Sequence, residues 1–172
     1  MTADDAGFVS LRIAVLTISD TRTAADDRSG DLLAERVTSA GHRLAARGRC
    51  RDEITVIVDQ LRAWIYGDID VIVTTGGTGV TARDVTPEAL AAVADKHIPG
   101  FGEYFRYISV ASIGASMMQS RACAVVAGGT YIFALPGSPG AVRDGWDQIL
   151  RTQLDRRHHP CNFAQLLPRL TR

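Results

Sequence analysis

The sequence predicts an α/β fold in three layers, with a mostly parallel, mixed central sheet. Three observations lead to it. Apolar, β-branched runs alternate with segments whose apolar residues recur at helical spacing. The connections between them are short, and two late strand-like runs follow each other with no helix between. Such alternation builds a parallel sheet covered by helices on both faces, and a late hairpin adds an antiparallel strand.

Residues 1–11 read as a loose arm and 12–172 as a single domain, since 172 residues suit one core. Arg12-Ile-Ala-Val-Leu-Thr-Ile18 is a continuous apolar run, as a strand buried on both faces requires. A polar loop, 19–27, follows. Ser29 is a candidate N-cap for a helix carrying Leu32, Leu33, Val37 and Ala40, which Gly41 closes. Leu44, Ala46, Gly48 and Cys50 alternate as a weaker strand. Asp52 can cap a helix whose apolar positions are Ile54, Ile57, Val58, Leu61, Trp64 and Ile65. Residues 69–75 form a third strand, broken by Gly76-Gly77-Thr78-Gly79. Thr86-Pro87-Glu88 opens a short helix to 94, with Pro at its first position and an acid in its first turn. Residues 101–113 are helical, and 114–119 fit helix or loop. Residues 123–127 and 131–135 are strands joined by Gly128-Gly129, a hairpin signal. Pro136–Gly140 is a turn and 142–154 a last helix. The tail from Pro160 carries Phe163, Leu166 and Leu167, which need a surface to pack on, expected on a neighbouring subunit.

Lys+Arg and Asp+Glu are both 19, which argues against bulk nucleic-acid affinity and a polybasic membrane contact. Cys50, Cys123 and Cys161 are odd in number and widely spaced, neither a disulfide framework nor a zinc pattern. No signal peptide or membrane-length apolar run is visible, so a cytoplasmic location is expected. Trp64, Phe101, Phe105 and Phe133 read as core or interface. His42 and His97 read as surface residues, and His158 and His159 as solvated ones. No Ser-His-Asp or Cys-His set suggests acyl transfer.

Open α/β sheets bind ligands beyond the carboxyl ends of their strands. Four connections put hydroxyls, glycines and carboxylates there: Ser19-Asp20, Asp52, Thr75-Gly76-Gly77-Thr78-Gly79 with Asp84, and Pro136-Gly137-Ser138-Pro139-Gly140. The glycine loop is either a phosphate cradle, with its N–H groups as donors, or a strand-to-helix turn; it is neither a Walker A loop nor GxGxxG. Asp52 and Asp84 are either helix caps or ligands of a hard cation such as Mg²⁺, which takes one or two carboxylates plus substrate phosphates. Arg106 and Arg121 face either phosphate or surface acids.

These residues resemble a known family. Thr17-Ile-Ser-Asp20, Asp27-Arg-Ser-Gly30, Thr74-Thr-Gly-Gly-Thr-Gly79, Arg83-Asp-Val-Thr-Pro-Glu-Ala89, Pro99-Gly-Phe-Gly-Glu103, Ser120-Arg-Ala122 and Leu135-Pro-Gly-Ser-Pro-Gly140 match the molybdopterin-binding MoaB/MogA family of molybdenum cofactor biosynthesis in order and spacing over 12–154. The ending Pro160-Cys-Asn-Phe163 is nearer the MoaB branch. The resemblance implies adenylylation of molybdopterin with Mg-ATP, releasing pyrophosphate, in a homotrimer or homohexamer. It implies Asp52 and Asp84 as catalytic residues and Mg²⁺ ligands. Ser19, Asp20, Ser29, Gly30, Thr75, Gly76, Gly77, Thr78 and Gly79 would bind nucleotide phosphates. Ser120, Arg121, Pro136, Gly137 and Ser138 would bind molybdopterin. The alternative is an inactive molybdopterin- or precursor-binding protein, or an oligomeric scaffold for other enzymes of the pathway.

Overall fold

The run Arg12–Ile18 forms β1, and every residue from Ile13 to Ile18 is buried. In this computed structural model the described residues are 7–170. Residues 1–6 of the expected arm, with Thr171 and Arg172, lie outside them. Five strands join β1: β2 (Arg43–Cys50), β3 (Val71–Thr75), β4 (Lys96–His97), β5 (Cys123–Ala127) and β6 (Thr130–Leu135). Their order is β2-β1-β3-β6-β5-β4. β2, β1, β3 and β6 are parallel, while β5 runs antiparallel to both β6 and β4. The expected mixed sheet is present. Its one unforeseen member is β4, two exposed residues too short to show a period.

The helices are α1 (Arg28–Ser39), α2 (Ile54–Ile65), α3 (Thr86–Val93), α4 (Pro99–Ile113), α5 (Pro139–Gly145), α6 (Arg151–Gln153) and α7 (Phe163–Leu166). A π-helical turn, Trp146–Leu150, connects α5 to α6. α2 and α3 cover one face of the sheet, with Ile57, Leu61 and Leu90 against Leu16, Ile72 and Ile132. α1, α4 and α5 cover the other, where Leu33, Val37, Phe105 and Val142 meet Val15, Val73 and Phe133. Each such side chain stabilises the fold by ~1.5–3 kcal/mol relative to exposure.

Several expected ends move. Asp27, not Ser29, caps α1: its Oδ1 accepts the Gly30 N–H at 2.9 Å, and its Oδ2 accepts the Thr17 hydroxyl at 2.6 Å. Ser29 lies inside the first turn. Glu53 occupies the N-cap position of α2 without a side-chain bond, so Asp52 is not a cap. α5 starts three residues early, because Ser138 accepts the Ala141 N–H at 3.1 Å and Pro139 suits the first helical position. His42 is buried rather than on the surface, only 5% exposed, with its Nδ1 accepting the Leu11 N–H at 3.2 Å. The arm's inner end is thus tied to the domain.

The tail also differs from expectation. Phe163 sits 5.0 Å from the Tyr131 ring and 5.5 Å from Phe133, and Leu167 packs on the same cluster. Both side chains complete their own domain's core, and Leu166 alone of the three stays exposed. The tail therefore gives no argument for a second subunit. Among the described residues, no helix is long and apolar enough to cross a membrane.

Asp27 carries a testable share of this stability. Burial by itself would raise its carboxyl, but Thr17, the Gly30 N–H and Arg47 outweigh it and hold it below the ordinary 3.8. A carboxylate whose folded pKa is lowered stabilises fully above the unfolded value. Stability should hold above about pH 5 and fall as pH drops through 4 toward the folded value. Asp27→Ala should cost about 2 kcal/mol at pH 7, read by urea unfolding, and should flatten that acid limb.

Candidate functional site

The carboxyl ends of the parallel strands share one edge, and their four connections enclose a cavity of about 320 Å³ there. Its lining includes Ser19 and Arg22 after β1, Asp52 after β2, Gly76–Gly79 with Arg83 and Asp84 after β3, and Pro136-Gly137 after β6. β3 ends in a sharp reversal: Gly76 has φ +110 and Gly77 φ +63. A side chain at Gly76 would overlap the Ile18 carbonyl. One at Gly77 would overlap Thr86 Oγ1 and lie 2.8 Å from Asp52 Oδ1. The loop is pinned from several sides. Thr86 donates its hydroxyl to the Gly76 carbonyl at 2.9 Å, and the Thr86 N–H donates to Gly77 at 3.0 Å. Thr75 donates its hydroxyl to Pro136 at 3.0 Å. The N–H groups of Gly77 and Thr78 have no hydrogen-bond partner among the described residues. Two adjacent free donors in a glycine turn suit an anion.

Asp52 and Asp84 flank this loop. A Cβ at Gly79 would be 2.8 Å from Asp84 Oδ2. Asp84 accepts the Thr81 N–H at 2.9 Å and the Thr81 hydroxyl at 2.7 Å. Burial would raise its carboxyl, but these bonds, the Gly79 N–H and the Arg121 charge bring it below its ordinary value, so it is ionised at neutral pH. Asp52 differs: burial first, then the charges of Asp20 and Asp84, push its carboxyl up. Two carboxylates lining one cavity form a donor set suited to a divalent cation. Among the described residues, no three His, Cys, Asp or Glu are placed to hold a metal ion by themselves, so these oxygens would need substrate oxygens to complete a coordination shell.

A second cavity, about 340 Å³, shares Thr78, Gly79 and Pro136 with the first. Phe105 and Ile113 give it apolar wall, and Ser109, Ser112, Ser116, Gln119, Ser120 and Ser138 supply polar groups. Arg143 and Asp144 stand at its side.

Of the expected residues, Ser19, Asp52, Gly76, Gly77, Asp84 and Gly137 line the first cavity, Ser120 and Ser138 the second, and Thr78, Gly79 and Pro136 both. Asp20, Ser29, Gly30, Thr75 and Arg121 line neither. Thr75 and Gly30 are buried beneath the site. Ser29 accepts from Arg22, whose guanidinium also donates to the Gly137 carbonyl. Asp20 is held by Arg83, and its Oδ1 accepts the Asp52 N–H at 3.2 Å. Arg121 is a brace: Nε donates to Gly79 and Nη2 to the Asp84 carbonyl, both at 2.6 Å, and it pairs with Glu88. It fixes both ends of the segment carrying Asp84. Burial pushes the Cys50 and Cys123 thiols up to about 11, so neither is a nucleophile at neutral pH.

The family profile described as "Probable molybdopterin binding domain" matches residues 14–156. The chain belongs to this molybdopterin-binding-domain family. It is 45% identical over 157 residues to molybdenum cofactor biosynthesis protein B of Escherichia coli K12, covering 91% of this chain and 92% of that protein. The same-named protein of Staphylococcus carnosus is 40% identical over 152 residues, with 87% and 89% covered. A crystal structure of a molybdenum cofactor biosynthesis protein B superposes with TM-score 0.85 at 40% identity, over 94% of this chain and 96% of that one. The tungsten cofactor synthesizing protein MoaB of Pyrococcus furiosus gives 0.78 at 29%, with 95% and 98% covered.

Within this family fold, sequence reading missed Arg22 and Arg83, the cations of the first cavity, and Ser109, Ser112 and Ser116 beside the expected Ser120 in the second. The signal for the serines was present. Ser109, Ser112, Ser116 and Ser120 recur every three to four residues, a polar stripe on a helical surface.

Proposed function

We propose that this protein acts in molybdenum cofactor biosynthesis by adenylylating molybdopterin with ATP and Mg²⁺, releasing pyrophosphate. The observation that carries this is the pair of cavities meeting at Thr78, Gly79 and Pro136, one built for phosphates and the other partly apolar. The nucleotide triphosphate would lie along the Gly77 and Thr78 N–H groups, with Arg22 and Arg83 as cations beside it. The pterin would occupy the serine-lined cavity, its terminal phosphate directed toward the shared wall. A terminal phosphate oxygen attacks the α-phosphorus of ATP, the bond to the β-phosphate oxygen breaks, and pyrophosphate leaves. The nucleophile is already anionic, so the site needs no strong base; it must hold two anions in line and dissipate their repulsion. Asp52 and Asp84 would hold the Mg²⁺, whose positive charge screens the phosphates when bound. The expected compartment is the cytoplasm.

Incubation with molybdopterin, ATP and Mg²⁺ should release pyrophosphate stoichiometrically with adenylylated pterin. Binding of both substrates without pyrophosphate would replace this reading with that of an inactive binder.

A homo-oligomer, trimer or hexamer, also belongs to the proposal, on different grounds from the tail. Tyr104 (50% exposed), Tyr107 (72%) and Val110 (48%) share one side of α4, and the two tyrosine rings stack 6.2 Å apart. A contiguous aromatic stripe is costly to leave in water. Light scattering should give a mass of three or six chains, and Tyr107→Arg should shift it toward monomer. A wild-type monomer at micromolar concentration would refute the assembly.

A further inference from the structure

A third cavity, about 800 Å³, lies at the opposite end of the sheet, beside the start of β1, the end of α1 and α6. None of the residues discussed for the reaction lines it. Its charges do not balance within the protein. Both carboxylates lining it are engaged: Asp147 with Arg36, whose Nε lies 3.0 Å away, and Asp155 with Arg157, at 2.9 and 2.7 Å. Three nitrogen groups lining the same cavity have no such partner. The Arg151 guanidinium and the His158 imidazole make no hydrogen bond or ion pair among the described residues. The third is on the buried His42. Its Nδ1 accepts the Leu11 N–H, so a neutral ring carries its proton on Nε2, and that donor is unpartnered among the described residues. Burial holds this imidazole below its ordinary range, which keeps that tautomer at neutral pH. The His42 ring is wedged between Phe8, 5.1 Å away, and Trp146, 6.5 Å away edge-on, so its direction is fixed.

We infer that this cavity binds a small phosphate-bearing anion, held by Arg151, His42 and His158. Unpaired groups from α6, the loop before β2 and the segment after α6 line this one cavity, and both carboxylates that line it are already paired. A phosphate monoester carries more negative charge and one more terminal oxygen than a carboxylate, and its oxygens suit a guanidinium flanked by two imidazoles. The site is independent of the proposed adenylylation, and it lies at the amino ends of the parallel strands rather than their carboxyl ends.

Trp146 supplies a local reporter. The full-length chain, labelled with ¹⁵N, is titrated with inorganic phosphate and with glycerol phosphate, while the Trp146 indole N–H resonance is followed. Sodium acetate at equal ionic strength serves as comparison. Saturable shifts are expected with both phosphates, weakened about tenfold in Arg151→Gln, a surface change that leaves the core intact. His42→Gln, whose side-chain oxygen can still accept from Leu11, should weaken binding similarly. Asp84→Asn, at the other end of the sheet, should leave the Trp146 titration unchanged. An immobile Trp146 signal, an equal response to acetate, or unaltered binding in Arg151→Gln would overturn the assignment.

Discussion

Asp84→Asn is expected to lower pyrophosphate release by about 10²–10³-fold while the protein stays folded. Asn keeps an oxygen that can accept the Thr81 N–H and hydroxyl, now found on Asp84 Oδ2 at 2.9 and 2.7 Å. The loop should therefore survive, at a cost of about 0.5–1 kcal/mol. What Asn removes is the charge, and that charge is the reason to place a cation and two anionic substrates at this edge. Rate assays beside thermal melting separate the two effects. Wild-type turnover in this variant would remove Asp84 from the chemistry. A large fall in melting temperature would instead assign it to the loop alone. The Arg121 brace makes the second outcome less natural, because it holds the same segment through the Gly79 and Asp84 carbonyls, whichever side chain follows.

Gly77→Val should damage both the fold and the site. Gly77 sits at φ +63, where a β-branched residue is strained by roughly 1–3 kcal/mol. Its Cβ would also overlap Thr86 Oγ1, the hydroxyl that holds the Gly76 carbonyl. Both the melting temperature and ATP affinity should fall, and the free N–H groups of Gly77 and Thr78 should lose their common orientation. Gly100→Ala is the matched comparison: nothing lies within 4 Å of a Cβ there, and neither property should change. If Gly77→Val melts and binds ATP like the wild type, the loop is a turn and not a phosphate cradle.

Much of this molecule is legible along the chain. β1, β3 and β6 are local apolar runs, and their burial on both faces follows from composition alone. The Gly128-Gly129 hairpin likewise follows from residue type. The convergence of four loops at one edge follows from topology, because parallel strands all end on the same side of a sheet. Helix ends were less legible. Choosing Ser29 over Asp27, or Asp52 as the cap of α2, mistakes which of several polar neighbours reaches a free N–H. That is decided by backbone angles set from outside the segment.

What only the tertiary structure decided is which side of each polar or aromatic residue is already occupied. Arg121 reads equally as a phosphate ligand or a partner of surface acids; it pairs with the exposed Glu88, and the Gly79 and Asp84 carbonyls, 42 and 37 residues away, take its other donors. Phe163 reads as a sticky tail until Tyr131 and Phe133 are found beneath it. His42 reads as surface until Phe8 and Trp146 close around it. The sequence by itself determined the sheet, its helix layers and the edge where the chemistry gathers, because these follow from hydrophobic period and from local turn chemistry. Hydrogen-bond donors and ring faces are satisfied by whichever group the fold brings within a few ångströms, and no local pattern records that partner.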